Sequence, residues 1–229
     1  MPAFPTTRWS LIRASQQPPR DAAAAWSALV RDYRPAIVAY FRRGALARDA
    51  EDLAQEFLLH SMQAGWWSRA DADAGSFRRF LLALLKRFRL NRENTAQQRR
   101  EVLVDTTGPG AFHEPTAEQD SPEAQFDLQF ALCLTRTALA ALRERYARDG
   151  REALFAQLEP WLAEAPAHGE LAALAVRLEM PANTLAVQLR RLRQRLQESI
   201  RAALAELCLE RAHADADLAA LRDALAHGT

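Results

Sequence analysis

The residues best placed to do chemistry lie between positions 49 and 100, in two runs of opposite charge. The first run, DAEDLAQEF, is acidic; the second, GSFRRFLLALLKRFRLNREN, mixes apolar and basic groups. On a helical wheel Ala50, Leu53, Ala54 and Phe57 share one side of the first run. Glu51, Asp52, Gln55 and Glu56 share the other, with Leu59 among them. Acids alone would make only a solvated face, whereas acids around an exposed leucine fit a basic protein partner. In the second run Phe77, Phe80, Leu81, Leu84, Leu85 and Phe88 form an apolar stripe. Arg78, Arg79, Lys86 and Arg89 form the opposite stripe, with Arg92, Arg99 and Arg100 beyond it, and Glu93 alone dilutes the helix with acid. A plain solvated face is the simpler account, but arginine at that density suits phosphate contacts. Trp66 and Trp67, between the two runs, read more readily as core residues than as base-stacking groups.

A second constellation is ELAALAVRLEMPANTLAVQLRRLRQRL. It reads as a short helix over residues 170–178, a tight turn at 179–181, and a longer helix from Pro181 to beyond Leu196. This is the layout of a helix-turn-helix. Leu185, Leu189, Leu192 and Leu196 face inward; Asn183, Thr184, Val187, Arg190, Arg191 and Gln194 face outward. Amide, hydroxyl and guanidinium groups on such a face read base edges and hold phosphates. Two helices joined by a turn are common in any α protein; Arg190, Arg191, Arg193 and Arg195 strengthen the nucleic-acid reading.

Catalysis finds little support. His60, His113, His168, His213 and His227 are scattered, with no HExxH-like pairing and no GxSxG or phosphate-binding glycine loop. Nothing in the sequence buries or perturbs Glu51 and Asp52 as an acid–base pair. Cys133 and Cys208 match no metal-ligand spacing, so neither a metal nor a cofactor is expected, and two lone cysteines fit a reducing compartment.

The elements that must position these residues are helical. The 229 residues suffice for one large domain or two small ones, glycine is sparse, and alanine, leucine and arginine dominate, which predicts an all-α fold. The net charge of +1 conceals the local segregation of charge. Residues 4–15 read as a short cap with Thr6 or Thr7 as N-cap. Pro18-Pro19 ends it, and a helix runs from Asp21 to about Arg43, burying Trp26, Leu29, Val30, Tyr33, Ile37, Tyr40 and Phe41. Pro35 should kink or split that helix and Gly44 end it. A helix over residues 49–63, a loop over 69–76 and a helix over 77–94 follow. Residues 101–124, with Thr106-Thr107-Gly108-Pro109-Gly110, Pro115 and Pro122, read as a flexible linker and a domain boundary. Beyond it Phe126, Phe130, Leu134, Ala138, Leu142 and Tyr146 mark another helix, broken at Asp149-Gly150, and residues 151–162 a further one burying Leu154, Phe155, Leu158 and Trp161. The tail, 204–229, reads as one or two amphipathic helices broken near 212–217. The opening MPAFPTTRWS lacks the apolar run of a signal peptide, and the run over 80–85 is far shorter than the ~20 residues a bilayer needs, so a soluble, cytoplasmic protein is expected.

The order of these motifs resembles an alternative sigma factor of bacterial RNA polymerase, of the extracytoplasmic-function (ECF) type in the sigma-70 family. The resemblance covers nearly the whole chain. It rests on DAEDLAQEF, GSFRRFLLALLKRFRLNREN, the linker, and the helix-turn-helix followed by LRRLRQRL. FPTTRWSLI and RERYARDGREALFAQLEPWL resemble a subgroup of these factors. The resemblance implies two helical domains: sigma region 2 over residues 1–100 and, after the linker 101–124, sigma region 4 over 125–203, with a helical tail over 204–229. It implies that Asp49, Glu51, Asp52, Gln55, Glu56 and Leu59 dock on the clamp helices of the polymerase β′ subunit. It implies that the loop from Arg69 to Ser76, with Arg78, Arg79, Lys86, Arg89 and Arg92, binds and helps melt the −10 element, holding a flipped base of the non-template strand. Melted DNA does require a cationic track and pockets for unstacked bases. Asn183, Thr184, Val187, Arg190, Arg191 and Gln194 would read the −35 element, and their domain would pack on the β flap. Such factors do no chemistry themselves and are commonly held by an anti-sigma factor. A helix-turn-helix regulator that does not engage polymerase is the alternative, and it leaves the acidic helix unexplained. A degenerate, sigma-like protein acting only through protein contacts is a third reading.

Three positions depart from the family pattern. Glu179 stands where the turn usually has glycine, so the turn must avoid positive φ or carry strain. Ala186 replaces a polar residue early in the second helix, and Met180 is a poor cap, although Pro181 suits the first turn. These changes lead us to expect −35 recognition that is weak or of unusual sequence.

Overall fold

A computed structural model of the chain describes residues 19–43, 47–66, 76–103, 121–205, 207 and 211–227. Among them the regular structure is entirely helical. The helices are α1 (Pro19–Phe41), α2 (Ala50–Gln63), α3 (Phe77–Leu103), α4 (Pro122–Arg148), α5 (Glu152–Leu158), α6 (Glu170–Arg177), α7 (Ala182–Ala205) and α8 (Arg211–His227). Short 3-10 turns, Ala47–Asp49 and Glu159–Leu162, precede α2 and follow α5. The expected cap at Thr6 or Thr7, Gly44, Trp67, Arg69, residues 104–120 of the expected linker and Cys208 lie outside the described residues. Among the described residues no helix is long and apolar enough to cross a membrane.

Several boundaries differ from the periodicity-based ones, each for a local reason. α1 runs through Pro35 without a break in its assignment. α3 continues past Asn94 to Leu103, because TAQQRREVL contains neither proline nor glycine. α4 begins at Pro122, inside the expected linker: Pro122 sits in the first turn, where its missing N–H matters least, and the Ser121 hydroxyl accepts from Ala124 N at 3.1 Å. Pro160 falls in the 3-10 turn that shortens α5. The tail is unbroken over 211–227, since RAHADADLAA is alanine-rich and carries no breaker.

The chain forms two compact units: Met1–Cys133 with Leu204–Thr229, and Leu134–Ala203. In the first, Tyr33, Ile37 and Phe41 of α1, Leu53 and Phe57 of α2, Phe77, Leu81, Leu85 and Phe88 of α3, and Phe126 and Phe130 of α4 are buried. Rings interlock across the helices: Tyr33 with Phe77 at 5.0 Å, Phe41 with Phe88 at 5.9 Å, and Phe57 with Phe88 at 5.5 Å, the last two edge-on. Leu204, Leu207 and Leu221 are buried as well. In the second unit Leu142, Tyr146, Phe155, Leu158, Leu174, Ala175, Leu185, Leu189 and Leu192 make one core, with Trp161 and Leu196 packed at its margin.

Candidate protein and nucleic-acid interfaces

α2 sets its apolar side, Ala50, Leu53, Ala54 and Phe57, into the core as the 3.6-residue period requires. The acidic side is less uniform than its composition. Glu51 accepts from Arg34 of α1 at 2.6 Å and from Arg42, just past its end, at 3.1 Å, and these two cations neutralise it. Glu56 pairs with Arg92 of α3. Asp49 closes the 3-10 turn ahead of α2 without a side-chain cap bond. Asp52 and Gln55 face solvent. Leu59 is 50% exposed and Met62, which sequence reasoning missed, 48%. Asp52, Gln55, Leu59 and Met62 recur at three- and four-residue steps, the seam a helix offers to another helix.

α3 starts at Ser76, 1% exposed, whose hydroxyl accepts from Arg79 N at 3.3 Å. The residue expected in the base-holding loop is thus the helix's own N-cap. Arg78 departs furthest from the expected basic face, being 7% exposed. Its Nη1 donates to Asp127 of α4 at 2.6 Å and its Nε to Asp217 of α8 at 3.0 Å. Burial disfavours the Arg78 charge, but the two carboxylates outweigh it and raise its pKa. Burial pushes the Asp127 carboxyl up too, with Arg78 pulling the other way. Both shifts are upward, which favours the charged form of Arg78 and opposes that of Asp127, because Arg78 has two carboxylates beside it and Asp127 shares its guanidinium. Arg79 stays half exposed with its Nε 3.7 Å from Asp217, and Lys86 pairs with Glu123 of α4 at 3.2 Å. Arg89 pairs with Glu93 at 3.4 Å and stacks on the Tyr40 ring at 5.5 Å. The exposed edge of α3 is instead Arg79, Ala83, Arg87 and Leu90, at four- and three-residue steps. Arg87 was legible as basic but fell between the two stripes. Trp66 is half-buried, its ring 6.0 Å from Phe57 and 4.8 Å from His60, in keeping with a core-edge role.

In the second unit the turn between α6 and α7 is a Schellman motif. Met180 N donates to Ala175 O at 2.9 Å and Glu179 N to Val176 O at 3.1 Å. Glu179 takes φ +51°. The chain builds the same turn after α2 at Gly65 and after α4 at Gly150, with φ +60° and +67°. Of the two outcomes open for Glu179, positive φ with its strain is the one observed. Pro181 O accepts from Leu185 N at 3.1 Å, starting α7. Leu185, Leu189 and Leu192 are buried, while Asn183, Thr184, Val187, Arg190, Arg191 and Gln194 are all exposed on one face, as the spacing predicts. Gln194 donates to Glu198 at 3.0 Å. Ala186 borders a recess of about 470 Å³ together with Pro166, Leu171, Arg190 and Gln194.

Arg193 and Arg195 do not join that face. Arg193 donates to Trp161 O at 2.6 Å and Glu164 O at 3.0 Å, tying down the end of the 3-10 turn. Arg195 donates to the Tyr146 hydroxyl at 3.1 Å and lies over its ring, as Arg151 does. Among the described residues no cluster of His, Cys, Asp and Glu is arranged to hold a metal ion. Comparison with protein-family models finds no match, and comparisons with curated proteins and with solved structures find none either.

Proposed function

We propose that this chain is an alternative sigma factor of the ECF type, which binds core RNA polymerase, recognises −10 and −35 promoter DNA and directs transcription initiation. What carries the reading is the outer stripe of α2, where Leu59 and Met62 stand exposed beside Asp52 and Gln55. A regulator that bound DNA alone would have no use for such a helix-docking face, and a helical partner with basic flanks fits it. The outer face of α7 supplies the DNA-reading partner to that stripe: Asn183 and Thr184 for base edges, Val187 for a thymine methyl, Arg190 and Arg191 for phosphates or guanine. In this reading the first unit corresponds to sigma region 2 and the α6–α7 pair to the reader of region 4. The exposed edge of α3, Arg79, Arg87 and Leu90, then gives a single strand its cationic track.

Asp52→Lys combined with Leu59→Asp tests the proposal. Glu51 is a poorer target, because its loss would also strand Arg34 and Arg42. The folded variant should lose capture by core polymerase and all run-off transcripts that depend on the wild-type chain. Wild-type chain that binds duplex DNA but neither captures core polymerase nor yields a transcript would replace the reading with the stand-alone regulator.

A further inference from the structure

The outer stripe of α2 ends in a sulfur. Met62 lies in the last turn of the helix, one turn beyond Leu59 on the same face, and is 48% exposed. Among the described residues the other sulfurs are better covered: Cys133 is 7% exposed, and Met180 is half-buried in the turn between α6 and α7. Met1 and Cys208 lie outside the described residues. Oxidation of a sulfur follows its exposure, and a thioether, unlike a thiol, has no proton to lose first. Met62 is therefore the described sulfur that a dissolved peroxide meets most readily. Its position gives the reaction a consequence. The unbranched, apolar side chain can mould itself to a facing helix. Its sulfoxide is polar, with an oxygen that needs a donor when buried. In the free chain that oxygen stands in water, so the fold of the first unit bears no cost. Against a docked helix the water is excluded, and an unpaired acceptor there opposes docking. The effect is partial, because Asp52, Gln55 and Leu59 keep their share of the stripe.

We propose that Met62 is a site of reversible oxidation by peroxide, and that its sulfoxide weakens docking on α2. A lone pair of the Met62 sulfur attacks one oxygen of hydrogen peroxide. The S–O bond forms as the O–O bond breaks, and the departing oxygen takes the proton of the transferred one and leaves as water. The sulfur loses two electrons and the peroxide gains them. Methionine sulfoxide reductases return the thioether. This rests on the docking reading of α2 given above and adds to it a control by oxidant.

The test treats the full chain with hydrogen peroxide, removes the peroxide with catalase, and titrates the chain with core polymerase. Peptide mass spectrometry should place one added oxygen on Met62 before Met180. The Kd for core polymerase should rise about tenfold, the usual effect of one unpaired polar group at an interface, while the circular dichroism spectrum stays that of the untreated chain. Methionine sulfoxide reductase should restore the original Kd. The Met62→Leu variant, whatever its own affinity, should show the same Kd before and after peroxide. Full oxidation of Met62 with an unchanged Kd overturns the proposal while the docking reading stands. So does oxidation of Met180 ahead of Met62, or a Met62→Leu chain that loses affinity as the wild type does. If Met62→Leu does not fold, the reductase arm on the wild-type chain decides alone. An untreated chain that does not bind core polymerase overturns the docking reading, and the proposal with it.

Discussion

α3 and α7 are both arginine-rich amphipathic helices, yet they spend their cations differently. On α3, Arg78, Lys86, Arg89 and Arg92 are each engaged by a carboxylate within the first unit. On α7, Arg193 is turned to two backbone carbonyls and Arg195 to a phenol, while Arg190 and Arg191 stay in solvent. A count of arginines on a helix therefore says little about how many are offered to a ligand. The partners decide, and except for Glu93 beside Arg89 they come from other elements.

The contrast can be broken by removing cations one at a time. The largest effect is expected from Arg78→Ala, which leaves Asp127 and Asp217 buried without their shared partner. It should destabilise the chain by about 3–5 kcal/mol in urea unfolding. A loss below 1 kcal/mol would make the network incidental. Arg193→Ala comes next. Stripping two carbonyls of their donor should cost about 1–3 kcal/mol, and amide exchange near Trp161 should rise with it. Glu179→Gly runs the other way: it relieves the αL strain that Gly65 and Gly150 avoid, and should stabilise by about 0.5–1 kcal/mol. It also removes a negative charge near the α7 face, so duplex-DNA affinity of the full chain should rise; an unchanged melting temperature and affinity would show the turn to be relaxed already. Arg190→Ala with Arg191→Ala closes the series. Stability should stay within about 0.5 kcal/mol of wild type, while the salt slope of duplex binding falls by about 2. A slope equal to that of wild type would remove α7 from the DNA-facing surface.

Much of this was legible beforehand. The apolar periods of α2, α3 and α7 placed Leu53, Phe57, Leu81, Leu85, Leu185 and Leu189 inward, and they are buried. The outward face of α7 is exposed residue for residue. Arg78 was expected on the exposed basic face and is buried instead, because it answers to distant carboxylates that no period encodes. Met62 lay one turn beyond Leu59 on the same face, and extending the acidic stripe by that turn would have found it.

The sequence by itself determined that the described chain is helical, where most helices lie, and which side of each is apolar, because those properties follow from 3.6-residue spacing and from breakers within a few residues. Only the tertiary structure decided which charges remain available. Arg78 and Asp217 stand 139 positions apart, and Arg193 and Trp161 stand 32 apart. An ion pair is set by distance in space, and its strength by the water that packing excludes, and neither quantity is local to the chain.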